Sequence, residues 1–161
     1  EQILYEMASR DSSQIISVTS SKSREHTILR DLILPGLLEN LSKNIHETYP
    51  QKFFESGIVF SKDSPIKETV SLACVTASEE THFSKIKAVL QSLLRIGFSI
   101  KCETKTLSKH ALFSQGRVAE IVINRKTVGY IGELDSKVLE NFRIRTRVVG
   151  FEIKLSGLIF D

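Results

Sequence analysis

Residues 49–76 read "YPQKFFESGIVFSKDSPIKETVSLACVT", two apolar stretches separated by a polar turn. The stretches 51–60 and 67–76 each have the composition of a strand, and the turn between them contains Pro65. Two strands joined by so short a connection pair antiparallel. The segment therefore predicts a mainly antiparallel sheet and not a doubly wound parallel one.

Helical periodicity appears on both sides of this strand pair. From Pro35, which suits the first turn of a helix, apolar residues recur at three- and four-residue spacing for about three turns. A second amphipathic helix is predicted over residues 79–98, with Glu79 and Glu80 near its positive end and Gly97 marking its stop.

The rest of the chain alternates short strands with turns. We expect a strand at 14–20, a strand after the second helix, a hairpin turning at Asn124 and Arg125, a short helix at 135–142 and a last strand at 147–155. The fold class is therefore α+β: an antiparallel sheet flanked by helices, in one domain over residues 1–161.

The composition is that of an ordinary globular domain, with 41% hydrophobic and 25% charged residues among 161. The net charge of +3 allows a polyanion as partner without requiring one. No apolar run approaches the about 18 to 20 residues of a membrane span, and the first residues are polar, so we expect a cytoplasmic protein. Residue 1 is not methionine and apolar residues crowd the start, which favours an excised fragment of a longer chain.

Common catalytic and metal-binding patterns are missing from the sequence. The four histidines and the two cysteines, Cys74 and Cys102, lack the spacing that places two ligands on one ion. There is no G-x-S-x-G elbow and no glycine-rich phosphate loop. We therefore expect no metal site and no catalytic residue. Arg143, Arg145 and Arg147 alternate along an extended segment and would contact RNA phosphates or an acidic protein; a solvated edge explains them equally well.

Two blocks of sequence carry a family resemblance. "LRDLILPGLLENLSKN" (29–44) followed by "YPQKFFESGIVF" (49–60) resembles the β subunit of phenylalanyl-tRNA synthetase of the archaeal or eukaryote-like type. "HALFSQGRVAEIVINRKTVGYIGELDSKVLENF" (110–142) is similar to a second block of that family, with departures at Ala111, Asp135 and Ser136. The resemblance covers roughly residues 14–154. It implies the class II synthetase-like core domain near the end of the β chain.

The resemblance also implies a test of catalytic competence. Class II synthetases stabilise the charge of ATP phosphates with arginines and Mg²⁺, yet residues 51–72 contain no arginine. The segment "GFEIKL" keeps Gly150 and Glu152 without a following arginine, and Lys154 lacks the planar fork of a guanidinium. We therefore expect a non-catalytic domain that itself binds no cofactor, although the whole enzyme uses ATP and Mg²⁺.

Four residues are predicted to be remnants of the ancestral pocket. They are Gln51, Glu55, Arg117 and Glu152. For Gln51 and Glu55, a structural role is favoured over ligand binding. Arg117 is predicted to form a buried ion pair with Glu55 or Glu120, which would be costly to break from one side.

The leucine-rich segment corresponds to the family's first class II motif, which builds subunit interfaces. We expect some of its apolar surface to contact another chain; the alternative is that all of it is internal core. The predicted interface residues are Leu32, Leu34, Pro35, Leu37, Leu38 and Leu41. The implied partners are the α subunit, in an α2β2 assembly, and tRNA(Phe) through the whole enzyme.

The resulting hypothesis is a non-catalytic domain that scaffolds the α subunit in the enzyme that ligates phenylalanine to its tRNA. One rival is a free-standing paralogue that binds tRNA or an amino acid. The other is an active minimal synthetase, which would need phosphate-binding arginines from elsewhere in the chain.

Overall fold

The structure is a computed structural model, and it describes residues 6, 8, 16–18, 28–156 and 158. Its centre is a six-stranded sheet. The strands are β3 (Gln51–Ser61), β4 (Lys67–Ala77), β5 (Glu103–Leu107), β6 (Phe113–Ile123), β7 (Lys126–Leu134) and β8 (Val148–Lys154). Two further strands, β1 (Ile16–Ser17) and β2 (Ile28–Leu29), form a separate antiparallel pair. The helices are α1 (Leu34–Lys43), α2 (Phe83–Phe98) and α3 (Ser136–Asn141).

Every neighbouring pair of strands in the large sheet is antiparallel, in the order β3-β4-β8-β7-β6-β5. The pair β3–β4 is uninterrupted, from Gln51 opposite Ala77 to Ser61 opposite Lys67. The last strand, β8, lies between β4 and β7, so it joins the two halves of the sheet. The predicted α+β class is confirmed. Of the strand expected at 14–20, all but residues 16–18 lie outside the described residues.

The sheet separates two hydrophobic cores, which define its two sides. Helix α1 contacts β3, β4 and β8 on one side, called the α1 face, and helix α2 contacts β7 and β8 on the other, called the α2 face. Alternation along β8 shows the division, since Val149, Phe151 and Ile153 belong to the core under α2, whereas Val148 belongs to the core under α1.

Helix α2 is shorter at its start than the sequence predicts. It begins at Phe83, so Glu79 and Glu80 lie in the preceding turn and not in the first helical turn. Gly97 is inside the helix, and the left-handed residue that ends it is Ser99, with φ of 56°. The end is closed by two backbone hydrogen bonds, from Ser99 N–H to Arg95 O and from Ile100 N–H to Leu94 O. None of the helices in the described ranges is long and apolar enough to cross a membrane.

The hairpin between β6 and β7 turns at the predicted residues. Asn124 has φ of 48° and Arg125 has φ of 65°, the two left-handed conformations of a type I′ turn. Gly129 follows in β7, where an added Cβ would lie 2.0 Å from the backbone oxygen of Glu152. The absence of a side chain at Gly129 lets β7 and β8 approach each other closely beside Glu152.

Candidate functional site

Glu152 is the most constrained of the predicted pocket residues. It extends from β8 on the α1 face and is only 6% exposed. Both of its carboxylate oxygens accept a hydrogen bond from Ile33 N–H at 3.0 Å, and Oε2 also accepts one from Leu34 N–H at 3.0 Å. These donors are the first backbone N–H groups of α1, which are left without partners inside the helix. Glu152 therefore caps α1 from the neighbouring sheet and complements the helix dipole.

Gln51, at the start of β3, joins the strand to the turn that follows α1. Its side-chain nitrogen donates to the backbone oxygen of Asn44 at 2.8 Å and to that of Glu47 at 3.2 Å. The residue is 7% exposed. The amide thus satisfies two carbonyl groups near the carboxyl end of α1.

We expect Gln51→Ala to lower the free energy of unfolding by about 1–2 kcal/mol, because two backbone carbonyl oxygens lose their donor. Urea-induced unfolding followed by circular dichroism measures the change. The matched control is Gln91→Ala on the exposed surface of α2, which should change stability by less than about 0.5 kcal/mol. Equal effects of the two replacements would contradict the role assigned to Gln51.

The ion pairs differ from those that the sequence predicts. Arg117 pairs with Glu133 at 2.7 Å, across the β6–β7 pair, and not with Glu55 or Glu120. The Arg117 side chain is 58% exposed, so this is a surface pair worth at most about 1 kcal/mol and not a costly buried one. The prediction was wrong because strand alternation and register, which set the neighbours of Arg117, do not follow from residue identity.

Glu55 forms an ion pair with Arg30, which no sequence pattern predicts as its partner. Arg30 Nη1 lies 2.5 Å from Glu55 Oε1, and Arg30 Nε donates to the backbone oxygen of Ile58 at 3.0 Å. The guanidinium fits over Gly57, where an added Cβ would lie 2.1 Å from Nη2. Arg30 thereby ties the segment after β2 to the edge strand β3, together with a hydrogen bond from Phe60 N–H to Arg30 O.

The predicted subunit-interface residues lie mostly inside the chain's own core. Leu34, Leu37, Leu38 and Leu41 are between 0% and 2% exposed, and Pro35 is also buried. Only Leu32 of the predicted set is partly exposed. The expectation that the buried members contact another chain is therefore corrected: α1 uses its apolar stripe to cover β3, β4 and β8. The alternative, an internal core, describes these five residues.

The three arginines between α3 and β8 are exposed and line an open groove of about 1420 Å³. Ile144 between them is buried, so the alternation predicted for Arg143, Arg145 and Arg147 is present, although Arg143 has a left-handed φ of 57°. Arg147 Nε lies 3.8 Å from Glu133 Oε1. The same groove also contains acidic side chains, at Glu79, Glu80, Glu133 and Glu140. Contact with RNA stays a prediction.

Neither cysteine has the lowered thiol pKa of a reactive cysteine. Burial raises the pKa of the Cys74 thiol, an effect that nearby Lys52 partly offsets. Burial likewise raises the pKa of Cys102, with Lys87 and a backbone hydrogen bond acting in the opposite direction. Both thiols are free, and since the reactive form is the thiolate, both stay protonated and unreactive at neutral pH.

A small cavity opens on the α1 face beside Glu152. Its volume is about 120 Å³, and it lies between the start of α1 and strands β7 and β8. Its polar lining includes Asp31, Ser71 and Lys154. Of the four predicted pocket residues, the structure brings only Glu152 to this cavity; Gln51, Glu55 and Arg117 lie elsewhere.

The comparisons with known proteins agree with the resemblance seen in the sequence. The family model of the phenylalanyl tRNA synthetase beta chain CLM domain matches residues 1–155. The phenylalanine–tRNA ligase beta subunit of Pyrococcus abyssi is 39% identical over 150 residues, which cover 90% of this chain and 26% of that protein. The corresponding subunit of Methanocaldococcus jannaschii is 35% identical over 159 residues, covering 96% of this chain and 29% of that protein. The chain thus spans less than a third of the length of these relatives.

Solved structures show the same fold at low sequence identity. A pyrrolysyl-tRNA synthetase from Desulfitobacterium hafniense superposes with a TM-score of 0.78 at 16% identity, over 99% of this chain and 58% of that chain. A second structure of that enzyme gives a TM-score of 0.69 at 17% identity, over 91% and 52% of the two chains. The antiparallel sheet with its flanking helices is the class II synthetase-like fold. The family match over nearly the whole chain and this fold together show that the chain belongs to the phenylalanyl-tRNA synthetase beta chain family.

Proposed function

We propose that this chain is a non-catalytic domain of the β subunit of phenylalanyl-tRNA synthetase and that it scaffolds the α subunit. The whole enzyme, an α2β2 assembly in the cytoplasm, would then ligate phenylalanine to tRNA(Phe) with ATP. The observation that carries the proposal is the structural role of Glu152. The Glu152 carboxylate, which the sequence predicts to be a remnant of the ancestral pocket, accepts hydrogen bonds from the backbone of α1 and so contributes to the fold.

The residues of the α1 face do not fit ATP with Mg²⁺. Strands β3, β4 and β8 contain no arginine, and the nearby Arg30 is engaged with Glu55 and a backbone oxygen. The cavity of about 120 Å³ is well below the about 300–1,000 Å³ of sites for larger ligands. Its carboxylates, Asp31 and Glu152, would repel phosphate oxygens. ATP and Mg²⁺ would therefore be bound by the rest of the enzyme and not by this domain.

An exposed apolar surface on β3 supports contact with another chain. Phe54 is 79% exposed and Ile58 is 46% exposed, and the two side chains lie on the same side of the edge strand. Opposite them on β4 are Cys74 and Val70, which are half-buried. Clustered apolar side chains of this kind often mark a protein interface. We place the α-subunit contact here, in place of the leucines of α1.

The test is size-exclusion chromatography with light scattering on this chain mixed with the α subunit of the same organism. We expect a stable complex that Phe54→Asp weakens at least about tenfold, since a carboxylate would be desolvated in the interface. Phe54 is exposed, so the replacement should leave the fold intact. Ile66→Asp, at a position 52% exposed outside this surface, is the matched control.

Two results would count against the scaffold function. One is a monomeric chain beside a folded α subunit, which would favour the free-standing paralogue. The other is a Phe54→Asp complex as tight as the original, which would place the contact elsewhere.

A contact with tRNA has its own test. Replacing Arg143, Arg145 and Arg147 with alanine should weaken tRNA binding by the assembled enzyme and reduce the salt dependence of that binding. Unchanged tRNA binding in a filter assay would contradict the RNA contact.

A further inference from the structure

The cavity on the α1 face has the size of a single ring. Its volume of about 120 Å³ exceeds several-fold the about 10–15 Å³ of accessible space that one buried water needs. An apolar cavity of about 150 Å³ can hold a benzene molecule, whereas pockets for drug-sized ligands begin at about 300 Å³. A molecule built on one six-membered ring therefore fits this cavity.

Most of the cavity wall is apolar or aromatic. Leu34, Leu112 and Phe113 line it, and each is between 0% and 2% exposed. The half-buried Tyr130 also lines it, and the His110 ring lies against Tyr130 with centroids 4.5 Å apart and against Phe113 at 5.1 Å. A ring bound here would lose contact with water on several sides, which favours binding of an apolar body.

One polar group in the cavity is not satisfied by the described part of the chain. Ser71, on β4, is 1% exposed, and its hydroxyl has no hydrogen-bond partner among the described residues. Buried hydroxyl groups nearly always form hydrogen bonds, because leaving one unmade is costly. Ser71 lines the cavity, so a molecule inside can supply the missing bond. Since a serine hydroxyl both donates and accepts, a hydroxyl group of the ligand matches it in either role.

The charged groups of the lining favour a neutral ligand. The Glu152 carboxylate already accepts the N–H groups of Ile33 and Leu34. Asp31 also takes part in an interaction within the structure, and Lys154 is exposed. A charged ligand would have to compete with these existing contacts or leave its charge buried and unpaired, which is costly. An anion would in addition be repelled by the two carboxylates.

We propose that this cavity binds a neutral molecule with one six-membered ring that carries a hydroxyl group. The ligand hydroxyl forms a hydrogen bond with Ser71 Oγ, and the ring contacts Leu34, Leu112 and Phe113. The site is independent of the proposed scaffold function, since it requires no second chain.

The test uses four probes that share one aromatic ring: phenol, toluene, benzylamine and benzoate. Each is titrated into the 161-residue chain at pH 7, where phenol is uncharged, and binding is measured from amide shifts in ¹⁵N–¹H correlation spectra. We expect saturable shifts of the amides around the cavity with phenol. The cationic benzylamine and the anionic benzoate should each bind at least about tenfold more weakly than phenol, because their charge would be buried without a partner.

The hydrogen bond to Ser71 is tested by comparing phenol with toluene in two variants. Toluene is more apolar, so the hydrophobic effect favours it, and the informative quantity is the ratio of the two affinities. Ser71→Ala should lower the ratio of phenol to toluene affinity about 2- to 10-fold, the factor that one neutral hydrogen bond supplies. Ser56→Ala, at an exposed position of β3, is the matched control and should leave the ratio unchanged.

The thermal midpoint of the free chain gives a readout that does not depend on any ligand. Ser71→Ala should leave the midpoint unchanged or higher, because it removes a buried hydroxyl that has no partner among the described residues. A lower midpoint would show that the hydroxyl is already satisfied, for example by water, and would overturn the proposal.

Three binding results would also overturn the proposal. They are an absence of saturable shifts around the cavity with phenol, binding of benzylamine or benzoate as tight as that of phenol, and an unchanged ratio of phenol to toluene affinity in Ser71→Ala.

Discussion

Glu152→Ala will lower the free energy of unfolding of this chain by about 2–4 kcal/mol. The replacement removes the acceptor for the N–H groups of Ile33 and Leu34, and hydrogen bonds to a charged group are worth about 1.5–3 kcal/mol. The donors are buried against β8, so water cannot replace the carboxylate without entering the core. A fall of roughly 5–15 °C in the thermal midpoint is expected for a domain of this size.

The isosteric change Glu152→Gln tests the charge separately from the shape. An amide keeps one acceptor oxygen but loses the negative charge that complements the α1 N-terminus, so we expect a smaller loss of about 1–2 kcal/mol. Glu68→Gln, on the exposed surface of β4, is the control and should be nearly neutral. A stability of Glu152→Ala equal to that of the unaltered chain would show that Glu152 does not hold α1.

Leu38→Ala will destabilise the isolated chain by about 2–5 kcal/mol. Leu38 is 0% exposed in the core under α1, and removing its buried methyl groups leaves a cavity that the surrounding β3 and β4 side chains cannot fill completely. Denaturant unfolding of the chain alone, without any partner, measures the loss. The control is Ile96→Ala on α2, a position 77% exposed, where less than about 0.5 kcal/mol is expected.

The stability of the isolated Leu38→Ala chain, compared with that of Ile96→Ala, distinguishes a core residue from an interface residue. If Leu38 belonged to a subunit contact, its replacement would weaken a complex and leave the isolated chain as stable as before. For the same reason, loss of α-subunit binding on replacing a buried leucine with aspartate would not locate an interface, because the fold itself would fail. Exposed Phe54 is the informative position for that question.

The fold was predictable where its signals are local. The hairpin at Asn124 and Arg125, the strand pair 51–60 and 67–76, and the amphipathic helices follow from turn chemistry and from the two- and 3.6-residue periods of side chains. The start of α2 was not predictable in this way: the two glutamates before Phe83 have helical propensity, yet the structure places them in a turn.

The site was less predictable because its contacts join distant parts of the chain. Glu152 was identified as a pocket residue. Its hydrogen bond from Ile33 N–H spans 119 positions, however, and no pattern in the sequence predicts it. Arg30 was not identified as the partner of Glu55, since its position beside Gly57 depends on the path of the segment after β2. Ser71 was missed because a buried hydroxyl with no hydrogen-bond partner among the described residues is recognised only when its surroundings are known.

The amino-acid sequence by itself determined the class of fold, the family resemblance and the lack of phosphate-binding arginines in the central strands, because these depend on residue identity and short-range periodicity. Only the tertiary structure decided which polar groups meet and which apolar surface is exposed. It placed the leucines of α1 inside, Phe54 outside, and a buried carboxylate at the start of α1. Those outcomes depend on register and on the packing of elements far apart in the chain, which residue identity alone does not set.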